Sequence, residues 1–284
     1  MARDEPLTAA ARLVRRHDRD RFLTTLFAPA ERRDALHALY AFNFEVARVR
    51  ETVSEPLLGR MRLQWWRENI AAIYADGPIR QHDVVVPLAQ AVRRHGLSRA
   101  HFDALVDARE ADLDDAPPAT LALLEAYAEA SSGGLVLLAL EALGVRDEAA
   151  AAAGRDVGTA YALAGLLSAV PFHAAARRLY LPADLIATQG IDVDRTLFAG
   201  KRSAPLAAVV AAVAERGRAR LAAARSLRRA VPRQALPALL PAVLAERRLD
   251  RLARAGFDPL APQLARPDGR KALALTLAAL RRRY

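Results

Sequence analysis

The chain has 284 residues, of which 53% are hydrophobic, enough to bury a large core. It has no cysteine, so disulfides, iron–sulfur ligation, thiolate zinc sites and thiol nucleophiles are excluded. Lys plus Arg number 42 against 32 Asp plus Glu, a formal charge of +10, which favours anionic partners without naming one.

The first residues, Met1 to Leu7, carry acids where a secretory signal needs a basic and then an apolar region, so export is not expected. Pro29 followed by Glu31 suits a helix start. From Ala30 to Glu51 a stripe of Leu36, Leu39, Tyr40, Val46 and Ala47 recurs at helical spacing, interrupted by the polar Asn43 and Arg50. Further helices are expected near 55–75, 80–95, 98–112, 118–143, 147–169, 203–230, 234–254 and 269–283, with an irregular stretch around 182–200. Asp76-Gly77-Pro78, Gly96, Pro117-Pro118 and Gly144 punctuate them, and Ser98 is placed to cap the helix after it. Val84-Val85-Val86 is the only β-branched run. The most apolar stretches, Leu135 to Leu140 and Pro205 to Ala214, are shorter than the ~20 residues that cross a bilayer, so the chain is expected to be soluble or to rest on a membrane. With no repeat or linker, residues 1–284 read as one all-α domain.

The six histidines, at 17, 37, 82, 95, 101 and 173, include no i, i+4 pair for zinc on one helix face. Gly-x-Ser-x-Gly, Gly-x-Gly-x-x-Gly and a phosphate loop ending in Gly-Lys are absent, which removes the hydrolase, Rossmann and P-loop readings. Only Lys201 and Lys271 are lysines, and the arginines alternate with acids in a chain rich in alanine, the skew a GC-rich genome produces. Nucleic-acid binding is therefore not expected.

Four segments remain: Tyr40-Ala41-Phe42, Met61-Arg62-Leu63-Gln64-Trp65-Trp66-Arg67-Glu68, Tyr127 to Gly134, and Leu179-Tyr180-Leu181-Pro182-Ala183-Asp184-Leu185. In order and spacing, from about Arg21 to Leu249, they resemble the squalene/phytoene synthase family. The resemblance implies a helical bundle of the isoprenoid synthase type around a central cavity. It also implies two aspartate-rich motifs on facing helices that hold Mg²⁺ against a prenyl diphosphate. Carboxylates at i and i+4 share a helix face, and Mg²⁺ held by such oxygens neutralises the departing diphosphate.

This sequence departs from both motifs. Where the family has Asp-Asp-x-x-Asp, it reads Ala47-Arg48-Val49-Arg50-Glu51, with a single acid at the end. On a continuous helix Glu45 and Glu51 lie about 240° apart, too far around to chelate one ion. At the second motif both aspartates are replaced, by Ala169 and His173, and Pro171 between them is expected to break the helix. On this pattern the chain is most similar to the family's non-catalytic branch, which includes a mitochondrial assembly factor for respiratory complex I. Phe42-Asn43-Phe44-Glu45-Val46, Arg50, Ser54-Glu55-Pro56 and Met61-Arg62-Leu63-Gln64-Trp65-Trp66 carry that closer likeness.

The reading that follows is a bacterial, non-enzymatic protein with no catalytic residue, no metal and no cofactor. It is expected in the cytoplasm or peripheral on the inner membrane. By the resemblance, its partners are the subunits of a membrane complex such as respiratory complex I, anionic lipid, and an isoprenoid or lipid ligand. The alternatives are a prenyltransferase, with Mg²⁺ or with Arg48, Arg50, Arg177 and Arg178 gripping diphosphate, and a lipid carrier. Pocket or ligand positions are expected at Tyr40, Asn43, Arg50, Arg62, Trp66, Tyr127, Arg177 and Tyr180, with Trp66 the better core candidate of its pair. Arg62, Glu68, Arg48 and Glu51 have the composition of a two-helix ionic network or of surface pairs. His173 reads best as a hydrogen-bonded core histidine. Glu110, Asp112, Asp114 and Asp115 read as a solvated helix end before Pro117-Pro118. The last helix, Lys271 to Tyr284, suits docking on the bundle or contact with acidic lipid.

Overall fold

The computed structural model describes residues 7–284, so the reading of Met1 to Leu7 falls almost wholly outside the described part. Fifteen α-helices follow one another: α1 (Ala9–His17), α2 (Arg19–Thr25), α3 (Ala30–Ala47), α4 (Pro56–Tyr74), α5 (Val85–His95), α6 (Arg99–Ala108), α7 (Leu121–Ala128), α8 (Gly134–Ala142), α9 (Glu148–Ser168), α10 (Val170–Ala175), α11 (Ala183–Thr188), α12 (Ala204–Ser226), α13 (Leu236–Leu239), α14 (Pro241–Arg254) and α15 (Lys271–Leu280). No strand occurs among the described residues, and Val84 to Val86 lead into α5 instead. The bundle is all-α, as the helical periodicity predicts.

Local chemistry sets many of the boundaries. Side chains of Thr8, Asp18, Thr120, Asp147 and Ser203 accept hydrogen bonds from backbone N–H groups that begin α1, α2, α7, α9 and α12. Gly96, at φ 59°, closes α5 in the left-handed conformation that glycine adopts without steric cost. Ser98 does not cap α6: its hydroxyl and its N–H both go to the Glu141 carboxylate on α8, which ties those helices together. Pro171 divides α9 from α10, as expected of a residue that removes an N–H from the ladder.

α9 lies at the centre, packed against α8, α12 and α14. The helical run Leu121–Ala142 beside it is 22 residues long with mean hydropathy 1.3, long and apolar enough to cross a membrane by composition alone. That corrects the expectation of short apolar runs only, because α7, a π-helical turn (Glu129–Gly133) and α8 join end to end. In the bundle, Glu125 on this run receives Arg220 at 2.5 Å and Arg216 at 3.3 Å from α12. The π turn contains Ser131-Ser132-Gly133, all buried, and brings backbone against backbone at α9. A Cβ on Gly158 would lie 2.5 Å from both the Gly133 Cα and the Ser132 carbonyl oxygen.

Aromatic packing fills the bundle on the α3–α4 side. Phe42 meets Trp66 and Phe102 edge to face, at 5.2 and 5.3 Å between centroids. The buried hydrophobic residues form one cluster running from Ala10 to Tyr284. Since neither backbone at the α9 contact can yield, Gly158→Ala should destabilise the protein by roughly 2 kcal/mol, seen as a lower thermal unfolding midpoint. An unchanged midpoint would mean that α9 does not sit this close.

Candidate functional site

The segment matching the first motif does not continue α3. The helix ends at Ala47, Arg48 is its C-terminal cap, and Val49–Thr52 tightens into a 3₁₀ turn in which the Thr52 hydroxyl donates to the Val49 carbonyl at 3.0 Å. The helical angle expected between Glu45 and Glu51 therefore does not apply. Glu45 faces Arg48 at 3.9 Å, and Glu51 is exposed.

At the second motif, Ala169 sits in the break between α9 and α10, and His173 lies on α10. α10 closes on Arg177 in the left-handed conformation (φ 53°), with the Arg178 N–H donating to the His173 carbonyl at 2.8 Å. This turn separates the two arginines. Arg177 points outward to Asp194 and over the Phe198 ring, whereas Arg178 points inward and donates to the Asp112 carbonyl at 2.5 Å.

Ala47, Arg50, Glu51, His173, Arg178, Tyr180 and Asp112 thus surround one cavity of about 230 Å³. Two buried polar atoms in its wall, Arg50 Nε and His173 Nδ1, have no hydrogen-bond partner. The expectation of a hydrogen-bonded core histidine is corrected at that nitrogen, since α10 is a single short turn beside the opening. Burial, and then the Arg178 charge, push His173 down to about 4, and its ring lies 4.5 Å from that of Tyr180.

Asp112 is the site residue that sequence reasoning misread. It is only 5% exposed, because residues Arg109–Leu113 form a 3₁₀ turn that rolls it inward. Its carboxylate accepts from the Tyr127 hydroxyl at 2.8 Å, the Tyr180 hydroxyl at 3.0 Å and Arg109 at 3.2 Å. Burial raises both tyrosine hydroxyls well above their ordinary range, so they stay protonated and donate. Of the other acids in that run, Glu110 pairs with Arg67, Asp115 with Arg50, and Asp114 is exposed. The sequence offered no local signal for this contact, because Tyr127 on α7 and Tyr180 in the loop after Arg178 reach Asp112 only through the fold.

The cavity continues on both sides. Asp112, Arg178 and Tyr180 also line an apolar pocket of about 340 Å³ with Pro117, Leu123 and Tyr127. Val53 joins the cavity to a groove of about 620 Å³ that holds Arg62, Trp65, Trp66 and His82. Trp66 is buried and only floors that groove, while Arg62 is exposed. Tyr40 and Asn43 line none of these spaces: both are buried, Tyr40 beneath the Arg21 guanidinium. The four-residue ionic network does not form either, because Arg48 meets Glu45 and Glu68 meets Arg80.

The donors present do not fit Mg²⁺ bound to diphosphate. Of the acids lining the central cavity, Glu51 stands alone, and the Asp112 oxygens are occupied by two tyrosines and an arginine. No three His, Asp or Glu side chains converge as ligands among the described residues.

The squalene/phytoene synthase family profile matches residues 14–273, and the chain belongs to that family. It is 36% identical over 272 residues to the bovine (Bos taurus) protein named NADH dehydrogenase (ubiquinone) complex I, assembly factor 6, covering 96% of this chain and 81% of that one. It is 28% identical over 212 residues to the presqualene diphosphate synthase of Rhodopseudomonas palustris, covering 74% of each. Its fold matches the crystal structure of squalene synthase from Alicyclobacillus acidocaldarius with a TM-score of 0.77 at 22% identity, over 88% of this chain and 94% of that one.

Two outcomes test this geometry. Asp112→Ala, which strands the Arg109 charge beside two donors, should destabilise by about 3 kcal/mol in thermal or urea unfolding, more than Asp114→Ala. His37 in the core is also held down to about 4, by burial. Between about 4 and the ordinary 6.5, unfolded histidine takes up a proton that His37 and His173 refuse when folded, so stability falls as pH drops through that window. The unfolding midpoint should therefore decline from about pH 7 to about pH 5, and His173→Gln should flatten part of that decline.

Proposed function

We propose that this chain is a non-enzymatic member of its family that binds subunits of a membrane complex and assists their assembly, respiratory complex I being the client that its relatives' names suggest. The observation that carries the reading is the wall of the central cavity. Where the family's chemistry needs carboxylates from two opposing helices, this chain presents Ala47, Arg50 and Glu51 from one side and His173 and Arg178 from the other. Arginine binds phosphate oxygens but does not supply the concentrated positive charge of bound Mg²⁺ on a leaving diphosphate. The likeness to assembly factor 6 over nearly the whole chain supports the client.

The groove leading into the cavity is the natural contact region. Leu58 and Met61 in its lining, Leu57 next to them on α4 and Phe172 in the wall of the central cavity are large, apolar and exposed, an arrangement that marks binding surfaces. Cytoplasmic residence with peripheral contact at the inner membrane follows from such a client. A second reading, an isoprenoid or other lipid held in the pocket beside Arg178, is favoured by that pocket's apolar lining of Pro117, Leu123 and Leu124. Gentle purification and native mass spectrometry would reveal such a ligand as a discrete added mass.

The purified protein with farnesyl diphosphate and Mg²⁺ should give no condensed product. The tagged protein should recover respiratory complex subunits from solubilised membranes, and Leu57→Asp with Met61→Asp should lower that recovery about tenfold while leaving the fold intact. Condensed product, or recovery of no respiratory subunit, would overturn the reading.

A further inference from the structure

A helix on a protein surface ordinarily turns polar residues outward. α15 does the opposite: it buries Leu275 and leaves Leu273, Leu277 and Leu280 exposed by 60%, 41% and 75%. These positions follow i, i+4, i+7 spacing and share one face. No charged residue occurs from Ala272 to Leu280. The charges gather at the ends, with Arg270 before the helix, Lys271 as its first residue, and Arg281, Arg282 and Arg283 after it.

A concave surface of about 540 Å³ adjoins the helix end, lined by Arg228, Arg229, Arg233, Arg282, Ala279 and Tyr284 among others, with no Asp or Glu side chain in the lining. Arg228 is fixed there, donating to the Tyr284 carbonyl at 2.5 Å with its guanidinium over the tyrosine ring. Arg229, Arg233, Arg281, Arg282 and Arg283 have no ion-pair partner among the described residues. Acids of the neighbouring elements are already taken: Glu246 by Arg225, Asp250 by Arg218, Asp268 by Arg247, and Asp20 by Arg248 and Lys271.

We propose that this corner is a docking surface for an anionic lipid bilayer. α15 lies along the interface with its three leucines toward the acyl chains, and the five unpaired arginines meet headgroup phosphates. At about 15 Å the helix is too short to span a bilayer and the right size to lie on one. The leucines argue for lipid over nucleic acid, which would be met by cations without an uncharged apolar row between them. This surface shares no lining residue with the cavity and pockets around Asp112, so it stands or falls apart from the assembly role.

The test is co-sedimentation of the full chain with vesicles of phosphatidylcholine alone and of phosphatidylcholine mixed with phosphatidylglycerol. Binding is expected to the mixed vesicles only, and to weaken as salt is raised. Arg281→Glu, Arg282→Glu and Arg283→Glu together should reduce it by about tenfold or more. Leu277→Asn with Leu280→Asn should reduce it at unchanged charge. Arg15→Glu with Arg16→Glu, exposed residues on α1, should leave it nearly intact. The proposal is overturned if mixed vesicles fail to bind the protein, if the α1 pair costs as much as the α15 arginines, or if the leucine pair is silent while a DNA duplex competes for the surface.

Discussion

Buried and half-buried charges must be neutralised by the groups that fold against them, and in this arginine-rich chain that requirement decides what each acid is free to do. On α12, Arg220 reaches Glu125, Asp156 and Glu129 and so binds α12 to the apolar run and to α9. Near the start of the chain, Asp18 holds the buried Arg21, and Asp20 holds Arg248 and Lys271. At the cleft, Asp112 serves Arg109, Tyr127 and Tyr180. Carboxylates committed in this way stabilise the bundle and are withdrawn from metal chemistry. Where the acids run out, at the corner formed by α15 and the Arg228–Arg233 segment, cations are left facing solvent.

The family's architecture survives this reallocation. The turn at Arg177 still delivers one arginine and one tyrosine to the cavity, and the end of α3 still forms the opposite wall. Those walls carry fixed positive charge from Arg50 and Arg178 and a histidine that burial keeps neutral near pH 7. The cavity is continuous with an apolar pocket and with a groove edged by exposed leucine and methionine.

Most helices from Ala30 onward could be read directly from the sequence, because apolar periodicity acts locally, whereas the short α1, α2, α10 and α11 were not among those expected. Boundaries that depend on tertiary contact could not. Ser98 has the chemistry of a cap, but Glu141, 43 residues away, takes its hydroxyl. The π turn at Glu129–Gly133 lies where α9 approaches closely, and the cue in the sequence was only the small Ser131-Ser132-Gly133-Gly134 run. At the site, the motif positions converge as the resemblance implies, yet Tyr40 and Asn43 turn into the core. The stripe that placed them said which face points inward, without distinguishing core from cavity. Asp112 looked solvated because its partners Tyr127 and Tyr180 lie far along the chain.

The central claim is that Asp112 at this cleft is already committed to arginine and tyrosine, and that Glu51 on its own cannot gather divalent ions around a diphosphate. Mn²⁺ binding followed by electron paramagnetic resonance, with and without a non-reacting thiolodiphosphate analogue of farnesyl diphosphate, tests it most directly. The account predicts that the protein takes up no Mn²⁺ on its own and, with the analogue present, none beyond what the free analogue binds. Analogue-dependent binding of several Mn²⁺ ions per chain, abolished when Glu51 and Asp112 are neutralised, would contradict it.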